Sequence, residues 1–414
     1  MPALPRGPFS SRVPESLEPG PWARRLAQMR GLGRPLIDLT DHNPTTADLG
    51  YLEGLSLLLA LSNSGGRVYA PSAAGLESAR QAVAIYYQDR GHLVDPSQVV
   101  LTSSTSEAYA HLFRLLCDPG EAILVPRPGY PLFDALARAE GCRVVTYPLR
   151  FRDGAWRLDI DSLIAILRET PDARAIVTVN PNHPTGSCLT IAEATSLWAA
   201  CELHDLAFIS DEVFDDYRAA DGRDPAGLVQ SFTGDSLSPF AIRTPLRFVL
   251  SGLSKVCGLP QAKLGWIVVV GPPTIGGSEL GDAALERLEW LADTFLSVGG
   301  PIQSALPALL AGRARFQDEV KARVARNRAA LVAALAPMPN AQVLPADGGW
   351  SAVIALDPVK SDEEWALALL EHDVIVHPGY FYDFDEPGRI VVSLLPAPAG
   401  FDVALTRLTA VAAR

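Results

Sequence analysis

Lys255 stands in Leu250-Ser-Gly-Leu-Ser-Lys-Val-Cys-Gly-Leu-Pro260, a run that is apolar on both sides of the lysine. Desolvation disfavours the ammonium form of such a side chain and leaves a better nucleophile toward carbonyl carbon. A solvated loop lysine is the alternative, and the apolar flanks weigh against it. The segment Phe208-Ile-Ser-Asp-Glu-Val213 sets two carboxylates directly after a strand-like run. Buried charge is costly without a partner. Asp211 fits a helix N-cap, or it fits a cofactor with a protonated ring nitrogen, the reading favoured here.

Two further segments carry dense polar groups. Thr102-Ser-Ser-Thr-Ser-Glu-Ala108 places small hydroxyl residues where a helix begins. Such a start offers backbone N–H groups, side-chain donors and the helix dipole to one anion, although a well-capped helix needs the same residues. Val179-Asn-Pro-Asn-His-Pro-Thr-Gly186 must stop and bend at its prolines and glycine. Asn180, Asn182 and His183 make it unusually rich in hydrogen-bonding side chains for a plain turn.

These segments need a scaffold. Short apolar runs fall at 99–102, 122–125, 143–147, 175–179, 207–210, 247–251 and 265–270. Little alternation within them predicts strands covered on both faces, and helical stretches such as 107–116 and 191–204 lie between most of them. The expectation is an α/β fold whose large domain holds a mostly parallel seven-stranded sheet. Ligands of such a sheet gather beyond the carboxyl ends of its strands, where the four polar segments lie. After Gly271 helices are expected at 280–296, 302–310 and 314–335, the last bridging to a smaller α/β second domain. That domain has strands expected at 351–356, 374–377 and 389–394, and Gly348-Gly349 marks its start. Its helices begin after Ser361, where Ser-Asp-Glu-Glu fits a capping box, and after Phe401. The divisions expected are 1–45 as an N-terminal arm and part of the small domain, 46–310 as the large domain, and 311–414 as the small C-terminal domain. The arm is rich in Pro and Gly around one helical stretch at 21–29.

The 414 residues suffice for two or three domains at roughly 150 residues each. With 48 % hydrophobic and 20 % charged residues, the composition is that of an ordinary globular chain. A net charge of −12 argues against a nucleic-acid surface, since phosphate backbones attract basic patches. The five cysteines show no CxxC pairing and read as small apolar residues in a reducing compartment, without a metal site. The first 22 residues, broken by proline, read as neither a signal peptide nor a membrane span, so a cytoplasmic location is expected.

Taken in order, the four polar segments resemble those of fold-type I enzymes of the aspartate aminotransferase superfamily (class I/II), which use pyridoxal 5′-phosphate (PLP). The resemblance runs from about Asp38 to Arg389. It implies that Lys255 binds the cofactor's aldehyde carbon as an imine and later shuttles a proton, with Asp211 on the pyridinium nitrogen. Ser104, Thr105 and Ser106 would cradle the phosphate, assisted by Ser251 or Ser254 and by Lys263. Tyr130, in Pro-Arg-Pro-Gly-Tyr-Pro, matches the ring stacked on the pyridine, or is a turn aromatic covering the core. Asn182 and His183 would lie against the cofactor. Arg389 matches the arginine that grips the substrate α-carboxylate, a task suited to a planar two-pronged donor. Tyr69 matches the tyrosine that reaches the phosphate of a neighbouring subunit, which implies a homodimer with shared active sites. The implied partners are amino acids and 2-oxo acids, with no nucleic acid and no membrane.

Four positions depart from the family pattern. His183 stands where an asparagine usually contacts the cofactor's phenolic oxygen and the substrate carboxylate, and Phe214 stands where a tyrosine donates to that oxygen. Lys263 replaces a phosphate-clamping arginine, keeping charge but losing bidentate geometry. His42 occupies a site, often glycine, that touches substrate. The leading expectation is ping-pong transamination. A PLP-dependent lyase or cyclopropane-forming synthase of the same fold, and a non-catalytic ligand sensor, are the alternatives.

Overall fold

The structure, a computed structural model, describes residues 10–14, 18–51, 69–219, 245–271 and 279–413. The first elements are α1 (Pro21–Gly31), β1 (Ile37–Asp38) and α2 (Glu77–Gln88). Then follow β2 (Val99–Thr102), α3 (Thr105–Leu116), β3 (Ala122–Arg127), α4 (Phe133–Glu140), β4 (Arg143–Arg152) and β5 (Ala155–Leu158). The large sheet is completed around α5 (Ile160–Glu169), β6 (Ala173–Val179), α6 (Ile191–Leu203), β7 (Ala207–Asp211), β8 (Arg247–Gly252), α7 (Leu253–Val256) and β9 (Gly265–Val270).

Its strand order is β2-β9-β8-β7-β6-β3-β4-β5. The pairs from β4 through β3, β6 and β7 to β8 are parallel, and β9 runs antiparallel to both its neighbours. All seven expected strands are present. The sheet has an eighth, because β4 continues to Arg152 and folds back on β5 as a hairpin. Buried residues cover both faces. Ile209, Phe248 and Leu250 pack with α3 on one side, while Val249 and Val268 pack with α2 on the other. Helix starts follow local chemistry. Ser104 caps α3 by accepting from the Glu107 N–H at 3.2 Å, and Thr190 forms a capping box with Glu193 at α6.

The chain continues through α8 (Glu279–Phe295), α9 (Gly300–Ala311) and α10 (Arg313–Leu335) into a second sheet. Its strands are β10 (Ala341–Val343), β11 (Ser351–Leu356), β13 (His377–Pro378) and β14 (Arg389–Ser393), in the order β10-β11-β14-β13. Between them lie α11 (Asp362–Glu371) and β12 (Val374–Ile375), and α12 (Pro398–Ala412) closes the chain. The strand expected at 374–377 is thus split, β12 pairing with β1 and β13 with β14. The Ser361 capping box is present, whereas α12 starts at Pro398, ahead of Phe401. Helix α10 serves both cores. Phe316 and Val320 pack under the large sheet, Leu331 and Leu335 under the small one. The N-terminal stretch packs on the small sheet's core through Trp22, Leu26 and Met29. No helix among the described residues is long and apolar enough to cross a membrane.

Candidate active site

The parallel strands deliver three of the polar segments to one edge. Strand β6 ends at the Asn180–Gly186 turn, β7 ends at Asp211, and β8 ends at Gly252, one turn before Lys255. The start of α3 joins them through β9. A Cβ on Gly265 would lie 3.1 Å from the Ser104 carbonyl carbon and 3.2 Å from Thr102 Oγ1, so glycine permits the close approach.

Lys255 is enclosed by aromatic rings. Its Nζ lies 4.8 Å from the Trp350 ring centroid and 5.6 Å from that of Phe214. Burial pushes its pKa down to about 8, against the attraction of Asp211 and Asp41. About a tenth is therefore free amine at pH 7, far more than in an ordinary lysine. The Tyr217 hydroxyl donates to the Lys255 carbonyl at 2.6 Å and fixes the backbone beneath it.

Asp211 is buried and doubly hydrogen-bonded. Tyr109 donates to Oδ2 at 2.9 Å and the Val213 N–H to Oδ1 at 3.1 Å. Burial still raises its carboxyl to about 6, the two bonds and Lys255 acting in the opposite sense. Glu212 turns elsewhere, accepting from Ser210 at 3.0 Å, and burial raises it to about 7. Tyr130 lies near Asp211 and bonds Ser106, which joins the stacking candidate to the start of α3. Ser104, Thr105, Ser106 and Ser254 are half-buried, and the buried Ser251 Oγ has no hydrogen-bond partner. Lys263 is exposed in a left-handed backbone conformation at φ 52°.

The second sheet closes the opposite side. His42 is carried in by the β1–β12 pairing and by the Ser393 N–H, which donates to the Leu39 carbonyl at 2.6 Å. Nε2 of His42 lies 2.8 Å from Ser351 Oγ, and Nδ1 of His183 lies 3.3 Å from the same oxygen. The two imidazoles meet edge to face at 5.4 Å. Tyr382 lies 5.3 Å from His183 and bonds His377 Nδ1 at 2.8 Å. Burial, then Lys255, pushes His42 down to about 4. Burial, then His42, pushes His183 well below the usual imidazole range. Both are neutral at pH 7.

Three residues lie apart from this group. Asn182 donates to the Pro128 carbonyl at 3.2 Å and to Thr185 Oγ1 at 2.9 Å, so its amide holds the turn. Tyr69 is 84 % exposed and rims a cavity of about 410 Å³ that also touches Leu101, Ser297 and Gln303. Arg389 pairs with Ala355, while Ser351 pairs with Ser393 four residues further along β14. At about 3.3 Å per residue that is roughly 13 Å of strand. The Arg389 Nη1 bonds the Pro387 carbonyl at 3.4 Å, its Nε is buried without a partner, and its backbone N–H donates to Asp362 at 2.8 Å. Register thus separates Arg389 from the Ser351 group.

Trp350, Ser351, Tyr109, Tyr382 and His377 were missed in the sequence. Tyr109 had a signal, since it lies four residues after Thr105 on the same helix face. Trp350 and Ser351 directly follow Gly348-Gly349, where a new strand was expected.

A lysine amine set between aromatic rings, a buried carboxylate and a hydroxyl-rich helix start at the carboxyl edge of a mostly parallel sheet define the fold-type I transferase class. The family model for "Aminotransferase class I and II" matches residues 48–408. The chain belongs to that family, whose members are generally PLP-dependent, and is an amino-group-transferring enzyme. It is 26 % identical to an alanine aminotransferase of Mycobacterium tuberculosis, over 94 % of this chain and 88 % of that one. It is 31 % identical to the S-alkyl-thiohydroximate lyase SUR1 of Arabidopsis thaliana, over 60 % of this chain and 50 % of the relative. An aminotransferase structure from Escherichia coli superposes with a TM-score of 0.81 at 23 % identity, covering 97 % of each chain.

Proposed function

We propose that the protein holds PLP on Lys255 and transfers amino groups between an amino acid and a 2-oxo acid in two half-reactions. The observation that carries this is the Lys255 amine held against the Trp350 and Phe214 rings, with its pKa near 8, within electrostatic reach of the buried Asp211 carboxylate. The residues fit the cofactor. Ser251 Oγ is a buried hydroxyl without a partner, and both hydrogen bonds to Asp211 come from neutral donors. A pyridinium N–H suits that carboxylate, and a phosphate suits the start of α3.

When bound, PLP supplies an electron sink for the pair of electrons left at the substrate's Cα. Lys255 would provide the attachment point and the base for the Cα proton. Asp211, held by Tyr109 and Val213, would keep a proton on the ring nitrogen. Tyr130 would cover the ring. Trp350 and Phe214 exclude water from Lys255 and preserve its free amine. Asn182 acts through the turn that carries His183, and Arg389 is left outside the site. Tyr69 is assigned to the partner subunit of a homodimer, a reading supported by its exposure.

The test is a spectral half-reaction. An amino acid alone converts the bound cofactor to its aminated form, and 2-oxoglutarate or pyruvate reverses it. Release of ammonia and an oxo acid without aminated cofactor contradicts the proposal. A carbon–sulfur lyase is the second reading, supported by the similarity to SUR1 and by His183 and Phe214 at altered positions. Thiol release from cystathionine-like substrates identifies it.

A further inference from the structure

Ser351 joins two histidines from distant parts of the chain, and the polarity of the connection is fixed by one carbonyl. Nδ1 of His42 lies 2.9 Å from the Thr40 carbonyl oxygen, which can only accept. A neutral His42 therefore carries its proton on Nδ1, and its Nε2 is a bare acceptor. The Ser351 hydroxyl, 2.8 Å away, donates its single proton to that nitrogen. Toward His183 the same oxygen can then only accept, so His183 Nδ1, at 3.3 Å, carries a proton. The network assigns the tautomer of both rings. Nε2 of His183 keeps a lone pair, and no hydrogen bond to it is made among the described residues.

The assignment requires uncharged imidazoles, and the surroundings supply that condition. Both rings are half-buried, and desolvation, Lys255 and His377 disfavour a positive charge on either. Asp41 attracts one to His42 only weakly, since its carboxylate is occupied by the Asn43 N–H and the Thr46 hydroxyl. Phe214 lies against His183 at 6.0 Å and 26° and has no donor to offer.

We propose that His183 presents a hydrogen-bond acceptor to the 3-hydroxyl of the bound cofactor, so that this oxygen keeps its proton. This rests on the reading that PLP is carried on Lys255. The contact is opposite in polarity to the amide and phenol donors expected at positions 183 and 214 from the family resemblance. Those donors stabilise a phenolate, and an acceptor stabilises the phenol. No bond to carbon is made or broken, and one proton stays on oxygen, shared with Nε2 of His183. The thread Thr40–His42–Ser351–His183 makes His42 and Ser351 positioning residues for that proton.

Two readouts test it. In ¹⁵N-histidine NMR of the cofactor-free protein, His183 is expected to carry its proton on Nδ1, and Ser351→Ala is expected to release that constraint. A wild-type His183 protonated on Nε2 overturns the proposal without reference to any cofactor. In the holoenzyme at neutral pH, the shorter-wavelength absorption band of the protonated phenol is expected to dominate. His183→Asn, restoring a donor, is expected to raise the ratio of the long- to the short-wavelength band by about tenfold, the effect of one charge-assisted hydrogen bond. Should that variant fail to fold, the wild-type spectrum and NMR still decide. Borohydride reduction with peptide mapping separates the two claims. Cofactor fixed on Lys255 with a dominant long-wavelength band overturns only the proton assignment, whereas no cofactor on Lys255 overturns both.

Discussion

The Tyr109 hydroxyl lies 2.9 Å from Asp211 Oδ2 and donates to it. Burial raises the phenol's pKa well above its ordinary value, so the donor is never a phenolate. The bond holds a buried carboxylate in one orientation. Tyr109→Phe removes it without changing the packing of the ring against Phe133 at 5.4 Å. A hydrogen bond to a charged group is worth about 1.5–3 kcal/mol, so PLP affinity is expected to fall at least tenfold. A spectral titration of the cofactor-free protein measures this. An unchanged affinity would remove Tyr109 from the account.

Asp211 makes the cofactor-free protein sensitive to pH. Its folded carboxyl titrates at about 6, above the value of about 3.9 in an unfolded chain. The neutral form is favoured by folding, so this contribution is full below about pH 4 and is lost as pH rises through 6. Asp211→Asn removes the loss. Relative to wild type, the cofactor-free variant is expected to gain roughly 2–3 kcal/mol between pH 4 and 7, while its PLP affinity drops. Chemical denaturation at both pH values checks the sign, and a relative loss of stability with rising pH would contradict it.

Lys255 has the opposite displacement, its folded pKa lowered to about 8 by burial. Its free-amine fraction therefore falls about tenfold for each pH unit below 8. The rate at which the cofactor-free protein captures PLP is expected to follow that slope between pH 7 and 6. A flat profile would mean that the amine is already neutral or that another group captures the aldehyde.

The turn that carries His183 is locked to the second sheet through Gly186. Its φ is 67°, and its carbonyl accepts from the Asp347 N–H at 2.9 Å. A Cβ there would collide with the Gly348 carbonyl oxygen. Gly186→Ala is expected to lose at least about 2 kcal/mol of stability, from backbone strain and the displaced loop before Trp350. Denaturant unfolding measures it, and a variant as stable as wild type would show that the turn and the loop are not coupled.

Arg389 tests how far register governs the site. Arg389→Ala is expected to lower the melting temperature through the lost side-chain contact with Pro387, with KM for the amino donor changing less than about threefold, since Ser351 is roughly 13 Å of strand away. A hundredfold rise in KM would return the arginine to the substrate carboxylate.

The scaffold and the chemical centre were largely legible in the sequence, for physical reasons. Buried parallel strands need continuous apolar runs, and β6 to β8 show them. Lys255 and Asp211 stand out because ionisable groups rarely follow such runs directly. The β5 strand was missed although Asp153-Gly154 is a hairpin signal, both residues having positive φ. Arg389 begins a β-strand as expected, but no one-dimensional signal reveals which strand end faces the site. The His42–Ser351–His183 contact joins residues separated by 309 and 168 positions, and only the folded chain brings them together.

Borohydride reduction of the holoenzyme followed by peptide mapping tests the central assignment most directly. The account predicts cofactor mass on Lys255 alone and none retained covalently by Lys255→Ala. Cofactor fixed on another side chain, in wild type or in the variant, would contradict it.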